Sequence, residues 1–339
     1  LTKTVNGYIK RLPADTYNVQ NRGGRGITGM TTREEDAVEN MFVCSSHDYI
    51  MLFSNLGRMY RIKAYEIPEG SRTSKGMNLI NILPLLPDEK ITVILPASDL
   101  DEDNYIAMVT KKGIIKRTKV SEFRNTRKSG IIAINIDDDD ELGFVRMTNG
   151  KQNIFIATRD GLAIQFKEEG VRAMGRNARG VKAINMREGD RVIDMAIVDE
   201  DSRILTVTET GYGRISSIAD YRIQSRGGKG LTNYRTDKYG KVAATIPVTE
   251  NDDIIMIASN GIVIRIFAGD ISQFNRPAKG VRVMRVAEGE KILSVALTEH
   301  NEEEVTEKPE EADADAGDSE ETAEEIALSN EAPLEDNEE

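Results

Sequence analysis

Arginine and lysine beside glycine, recurring in a fixed register, are the residues of this 339-residue chain best placed to do chemistry, and that chemistry is the pairing of cations with an anion. Other constellations fall away. One cysteine (Cys44) and two isolated histidines (His47, His300) cannot supply a Cys/His metal site or an internal disulfide. The acidic run 137–141 reads as a loop between strands, because a calcium loop needs alternating ligands and a turn glycine. Gly24-x-Gly26-x-x-Gly29 has dinucleotide-binding spacing but follows polar residues where a buried strand is required, and no G-x-x-x-x-G-K-[ST] loop occurs. The ten tyrosines scatter with the apolar runs and read as packing residues. No catalytic and no metal-binding residue is expected.

The cations lie in six ten-residue segments ending at Gly26, Gly76, Gly130, Gly180, Gly230 and Gly280. Together these segments hold 15 Arg/Lys against two acids, Glu69 and Glu122. Counting back from the glycine, Arg recurs four residues before it and Arg or Lys directly before it: Arg22/Arg25, Arg72/Lys75, Arg176/Arg179, Arg226/Lys229 and Arg276/Lys279. In the third unit the loop between the two glycines is two residues shorter and carries Arg124, Arg127 and Lys128 instead. A single such loop would mean little, since exposed loops are commonly charged. Five matches in one register predict a continuous cationic track suited to the phosphates of duplex DNA, with weak sequence preference.

These segments are positioned by a repeat. Glycines at 7, 57, 113, 161, 211 and 261 each end an apolar, β-branched run and open another, as in DYIMLFSNLGRMYRIKAYEI, the signature of strand, tight turn and strand. The cationic segment and two further short apolar runs follow before the next unit. Six units of about 50 residues with four strands each predict an all-β fold, a six-bladed propeller-like ring, over residues 1–300. Residues 1–5 and 292–297 are expected to pair and close it.

Gln20-Asn21-Arg22-Gly23-Gly24-Arg25-Gly26 resembles the heptapeptide box Q-[RK]-R-G-G-[RK]-G of the gyrase A family, with Asn21 in place of a cation. A second near-match is Gln224-Ser225-Arg226-Gly227-Gly228-Lys229-Gly230. GYIKRLPADTY and SSHDYIMLFSNLGRMYRIKAYEIPEG around the first box are similar to the first two blades of the C-terminal domains of that family, and the likeness runs to about residue 298. In the box, paired glycines would let the backbone approach a phosphate with free N–H donors while the flanking cations supply charge.

The resemblance implies a β-pinwheel, a propeller whose neighbouring blades exchange a strand. It also implies DNA wrapping that lets a parent type II topoisomerase introduce negative supercoils. The cleaving tyrosine would lie in the N-terminal breakage-reunion domain and the ATP site in gyrase B, so this chain would need no cofactor while its parent uses ATP and Mg. Expected partners are duplex DNA, that N-terminal domain and gyrase B; the isolated domain should be monomeric. Two alternatives stand beside this reading, the C-terminal domain of topoisomerase IV and a propeller serving as a protein-interaction platform.

Charge is divided along the chain. Residues 301–339 carry 18 Asp/Glu against Lys308, so the net charge of -12 conceals a basic body of +5 followed by a tail of -17. Without apolar periodicity the tail cannot offset its ordering entropy and is expected to be disordered. No leader sequence and no apolar run of about eighteen residues occurs, so the reducing cytoplasm is the expected location and no membrane contact is foreseen. Leu1 in place of Met fits a piece of a longer polypeptide.

Overall fold

Each repeat begins with a glycine folding one strand back on another. Gly7 (φ +80°) turns β1 (Thr2–Thr4) into β2 (Tyr8–Lys10), and β3 (Val38–Met41) pairs with the other edge of β1. The second unit supplies β4 (Tyr49–Ser54), β5 (Arg58–Lys63), the short β6 (Met77–Asn78) and β7 (Ile91–Ala97). The third repeats this with β8 (Tyr105–Thr110), β9 (Ile114–Lys119), β10 (Ile131–Ile132) and β11 (Leu142–Thr148). The fourth has β12 (Asn153–Thr158), β13 (Leu162–Lys167), β14 (Val181–Lys182) and β15 (Val192–Val198). The fifth has β16 (Arg203–Thr208), β17 (Tyr212–Ser217), β18 (Leu231–Thr232) and β19 (Val242–Val248). Last come β20 (Asp252–Ala258), β21 (Val263–Phe267), β22 (Val281–Arg282) and β23 (Ile292–Glu299). This computed structural model describes residues 1–4, 6–13, 38–42, 44–71, 74–97, 103–260, 262–276 and 278–300.

The sheets are antiparallel, in the orders β3-β1-β2-β6, β10-β5-β4-β7, β11-β8-β9-β14, β15-β12-β13-β18, β19-β16-β17-β22 and β21-β20-β23. Each two-residue strand therefore leaves its own unit and completes the sheet before it. The fold is a six-bladed β-propeller with exchanged edge strands, and the sixth sheet has three strands among the described residues. Strands β7, β11, β15, β19 and β23 pack side by side in order, so they form the inner wall. The exchanged strands, at the far end of each sheet, mark the perimeter.

Among the described residues the expected pairing of residues 1–5 with 292–297 does not occur. Both edges of β1 are occupied, by β2 and β3, while β23 pairs with β20. An apolar run at a chain end cannot announce which edge it will fill, and here each terminus is taken by its nearest hairpin.

Blades are covered on both faces, which is why β12 is buried at five of its six residues and why the runs lack clean alternation. The core is shared between neighbours. Met51, Phe53 and Met59 of the second blade pack with Ile106, Met108 and Phe123 of the third, and Phe53 meets Phe123 edge-on at 6.3 Å. Equivalent clusters join later pairs of blades. The α-helix Thr236–Tyr239 is one turn long, and no helix of the described residues is long and apolar enough to cross a membrane.

Candidate nucleic-acid interface

Among the described residues, each of the five later cationic loops starts from a 3-10 turn and ends on an exchanged strand, so the fold carries it along the preceding blade to the perimeter. Those turns are Ala64–Glu66, Val120–Phe123, Glu168–Gly170, Ile218–Asp220 and Ala268–Asp270. The backbone N–H groups of Met174, Gln224 and Phe274 donate to the carbonyls of Arg117, Gln165 and Ile215 on the return strand of the hairpin before, each at 2.8 Å. Closing glycines are forced by proximity as well as by dihedral: Gly280 has φ +73°, and a Cβ there would lie 2.2 Å from the carbonyl oxygen of Gly213. That contact explains the second glycine of the repeat.

The register arginines do more than present charge. Arg226 donates from Nε to the Gly170 carbonyl at 2.8 Å and from a terminal nitrogen to Lys182 at 3.4 Å. Arg276 makes the equivalent pair, to Asp220 at 2.6 Å and Thr232 at 2.8 Å. Each guanidinium thus ties a 3-10 turn to the exchanged strand of an adjacent sheet. The cations directly before the glycine face outward differently: Lys75 lies 3.8 Å from the centroid of Tyr8, Lys279 lies 4.0 Å from that of Tyr212, and Lys229 is exposed. Arg179 forms an ion pair with Asp137.

Arg124, Arg127 and Arg176 come together in an open groove of about 760 Å³, joined there by Arg58 and Arg61 from β5. Lys128 is exposed beside it. Arg58 donates to the Ser129 carbonyl at 2.6 Å, and Arg61 lies over Tyr49 at 4.4 Å. Under this shorter loop lies the Tyr60 ring, 2.6 Å from where a Cβ on Gly130 would stand. Loop register alone missed Arg58 and Arg61; the cation-rich strand GRMYRIK was the available signal. Arg282 was missed too. It lies over Tyr212 at 4.6 Å, and hydrogen bonds from Lys279 and then Arg282 hold the Tyr212 phenol below its ordinary pKa.

The first box, Gln20 to Gly26, and Arg72 lie outside the described residues. In the second box the expectation of free glycine donors fails for Gly227, whose N–H bonds to the Ala183 carbonyl at 2.6 Å. Its φ of +77° still requires glycine, but to seat the loop on the blade. Three of the five acids in the run are ion-paired: Asp137 with Arg179, Asp139 with Lys112 and Glu141 with Lys111. No group of three or more metal-ligating side chains exists among the described residues.

The family model described as DNA gyrase C-terminal domain, beta-propeller, matches residues 4–45, 48–98, 104–149, 152–199, 202–249 and 252–299, one segment per blade. The chain belongs to this family. It is 48% identical over 326 residues to the DNA gyrase A protein of Clostridium acetobutylicum, covering 95% of this chain and 39% of the relative. With the gyrase A protein of Staphylococcus epidermidis the identity is 44% over 300 residues, 87% of this chain and 34% of the relative. The chain thus spans little more than a third of the curated relatives it matches. A solved DNA gyrase A C-terminal domain superposes with TM-score 0.69 at 28% identity, covering 87% of this chain and 98% of that one. The C-terminal domain of DNA topoisomerase IV superposes with TM-score 0.77 at 26% identity, covering 88% and 92%.

Proposed function

We propose that the chain binds duplex DNA along its perimeter and bends it, serving as the wrapping domain of a gyrase-type topoisomerase that introduces negative supercoils. The observation that carries this reading is the equivalent placement of the five cationic loops of the later units, each delivered to the outer edge of the preceding blade. Those six segments sum to +13 in a body of +5, so the rest of the body is -8 and the positive charge is confined to one track. Phosphate pairing releases counterions and gives affinity without base reading. Bending by 40–90° costs on the order of 1–6 kcal/mol, so contacts must recur along the path. Repeated loops supply them.

In this reading the chain is non-catalytic. ATP and Mg would be used by the parent protein, whose breakage-reunion domain and gyrase B would be its partners in the bacterial cytoplasm, and the isolated domain would be monomeric. Among solved structures the topoisomerase IV domain superposes with the higher TM-score (0.77 against 0.69) at similar identity (26% against 28%), but the gyrase A proteins reach 48% sequence identity, so the gyrase reading is preferred. A gel shift with a nonspecific duplex of about 40 bp should give binding that weakens steeply with salt. Salt-independent binding, or none, would leave the protein-interaction reading standing. A topoisomer-shift assay with nicking and religation then reports whether the DNA is wrapped. R22A with R25A should lose wrapping more than binding, because the other loops keep their charge.

A further inference from the structure

Beneath the outward cations lies a second set facing inward. The third residue after each turn glycine, on the return strand of the hairpin, is in turn Lys10, Tyr60, Lys116, Ile164, Arg214 and Ile264. Lys10, Lys116 and Arg214 are each 0% exposed. What they meet is the backbone of the next unit's cationic loop. Lys10 Nζ donates to the carbonyls of Ser71 at 3.2 Å and Ser74 at 3.0 Å. Lys116 Nζ donates to the carbonyl of Ala133 and to that of Arg176, one of the register arginines. Arg214 Nε donates to Ala278 at 3.1 Å, next to Lys279, and orders Ser216, whose hydroxyl donates to Phe274 at 2.7 Å.

The intervening blades solve the problem otherwise. Tyr60 packs its ring under the short loop at Gly130, and Ile164 lies under Gly228, 3.6 Å from where a Cβ would stand. The described loop with paired glycines, 224–230, is thus the one seated on an aliphatic side chain, and it bonds to the neighbouring blade through its own Gly227 N–H. Loops ending SRTSKG, GRNARG and NRPAKG lack the pair and sit on Lys10, Lys116 and Arg214. A loop carbonyl turned toward a strand needs a donor that water cannot supply there. Paired glycines, a tyrosine ring under a shorter loop and a buried cation are three answers to one requirement.

We propose that Lys10, Lys116 and Arg214 are positioning residues for nucleic-acid binding, each fixing from below the loop whose outer cations pair with phosphate. The proposal rests on the DNA reading above. Burial first, and Arg176 second, lower the Lys116 pKa to about 7 against the opposing pull of Glu122. A neutral amine still has two N–H groups for the two carbonyls, so the brace survives loss of the proton.

The test is K116M in the 339-residue chain, compared with R176A/R179A and the triple variant. The hydrogen-bonded amides of the loop, Met174 and Ala178, and that of Asn135, which donates to the Ala178 carbonyl, should exchange at least about tenfold faster in K116M while those of the first blade are unchanged. DNA affinity should fall roughly threefold, one loop among several being misplaced. In the R176A/R179A background K116M should have no further effect on affinity, because the cations it positions are gone. Unchanged exchange, or an equal fall in affinity with and without Arg176 and Arg179, overturns the proposal. Should K116M fail to fold, K10M read at the hydrogen-bonded amides of Gly70 and Ser74 decides it by the same criteria. If the unaltered chain bound no DNA, the functional reading would fail, while exchange would still decide whether Lys116 holds the loop.

Discussion

Arg276 and Lys279 sit three positions apart in one loop and should fail in different ways when removed. Arg276 makes two hydrogen bonds to carbonyls of separate elements, Asp220 and Thr232, whereas Lys279 rests on the Tyr212 ring. R276A is expected to cost about 1–3 kcal/mol of stability and K279A less than about 1 kcal/mol, read by urea denaturation. Both should lower DNA affinity. Equal stability losses would contradict the division of labour. A second residue-scale case is Asp194, whose carboxyl burial pushes up to about 7, with Arg146 at 3.9 Å only partly compensating. Its folded pKa lies above the ordinary 3.8, so stability is full at low pH and falls as pH rises through about 7. D194N should therefore match the unaltered chain near pH 4 and exceed it at pH 8, by on the order of 1 kcal/mol per unit of the shift. A constant difference across that range would show the carboxyl is not the cause. The register arginines were legible in the sequence as charge but not as ties. An Arg-Gly spacing names the residue, while its carbonyl partners lie 44 and 56 positions away.

At the scale of the element, the hairpin and its glycine were the most legible feature, because strand, turn and strand are local in sequence. Delivery of each two-residue strand to the blade before was implied by the family resemblance but not by pattern: so short a run has no periodicity, and its partner is chosen by where the preceding loop is laid. The glycines link the two scales. Gly211 has φ +86°, its carbonyl accepts the N–H groups of Val283 and Met284, and a Cβ would come within 2.1 Å of the Met284 carbonyl oxygen. Gly189 has φ +78° with nothing within 4 Å of its Cβ position. G189A should cost about 1–2 kcal/mol, the penalty of a left-handed conformation alone. G211A must also move a neighbouring blade's backbone and is expected to cost more than about 3 kcal/mol. Denaturant midpoints of the two variants measure the difference, and similar losses would mean that the inter-unit contact at Gly211 is slack.

For the whole molecule the decisive quantity is how charge is partitioned: +13 in six loop segments, -8 over the rest of the body and -17 beyond residue 300. A uniformly basic protein would hold DNA on any face. On the DNA reading proposed above, the negative remainder would repel DNA from the blades' other surfaces and leave the perimeter as the favourable path, favouring a bend over a flat contact. The acidic residues after 300 exceed the body's net charge in magnitude, so they can occupy the same cations in competition with phosphate. Removing residues 301–339 is accordingly expected to raise DNA affinity at low salt. The gain should shrink as ionic strength approaches 1 M, where the screening length falls to about 3 Å. Fluorescence anisotropy with a labelled duplex over a salt series gives both quantities. A gain independent of salt would point to steric exclusion, and no gain at any salt would show that the tail and the perimeter do not meet.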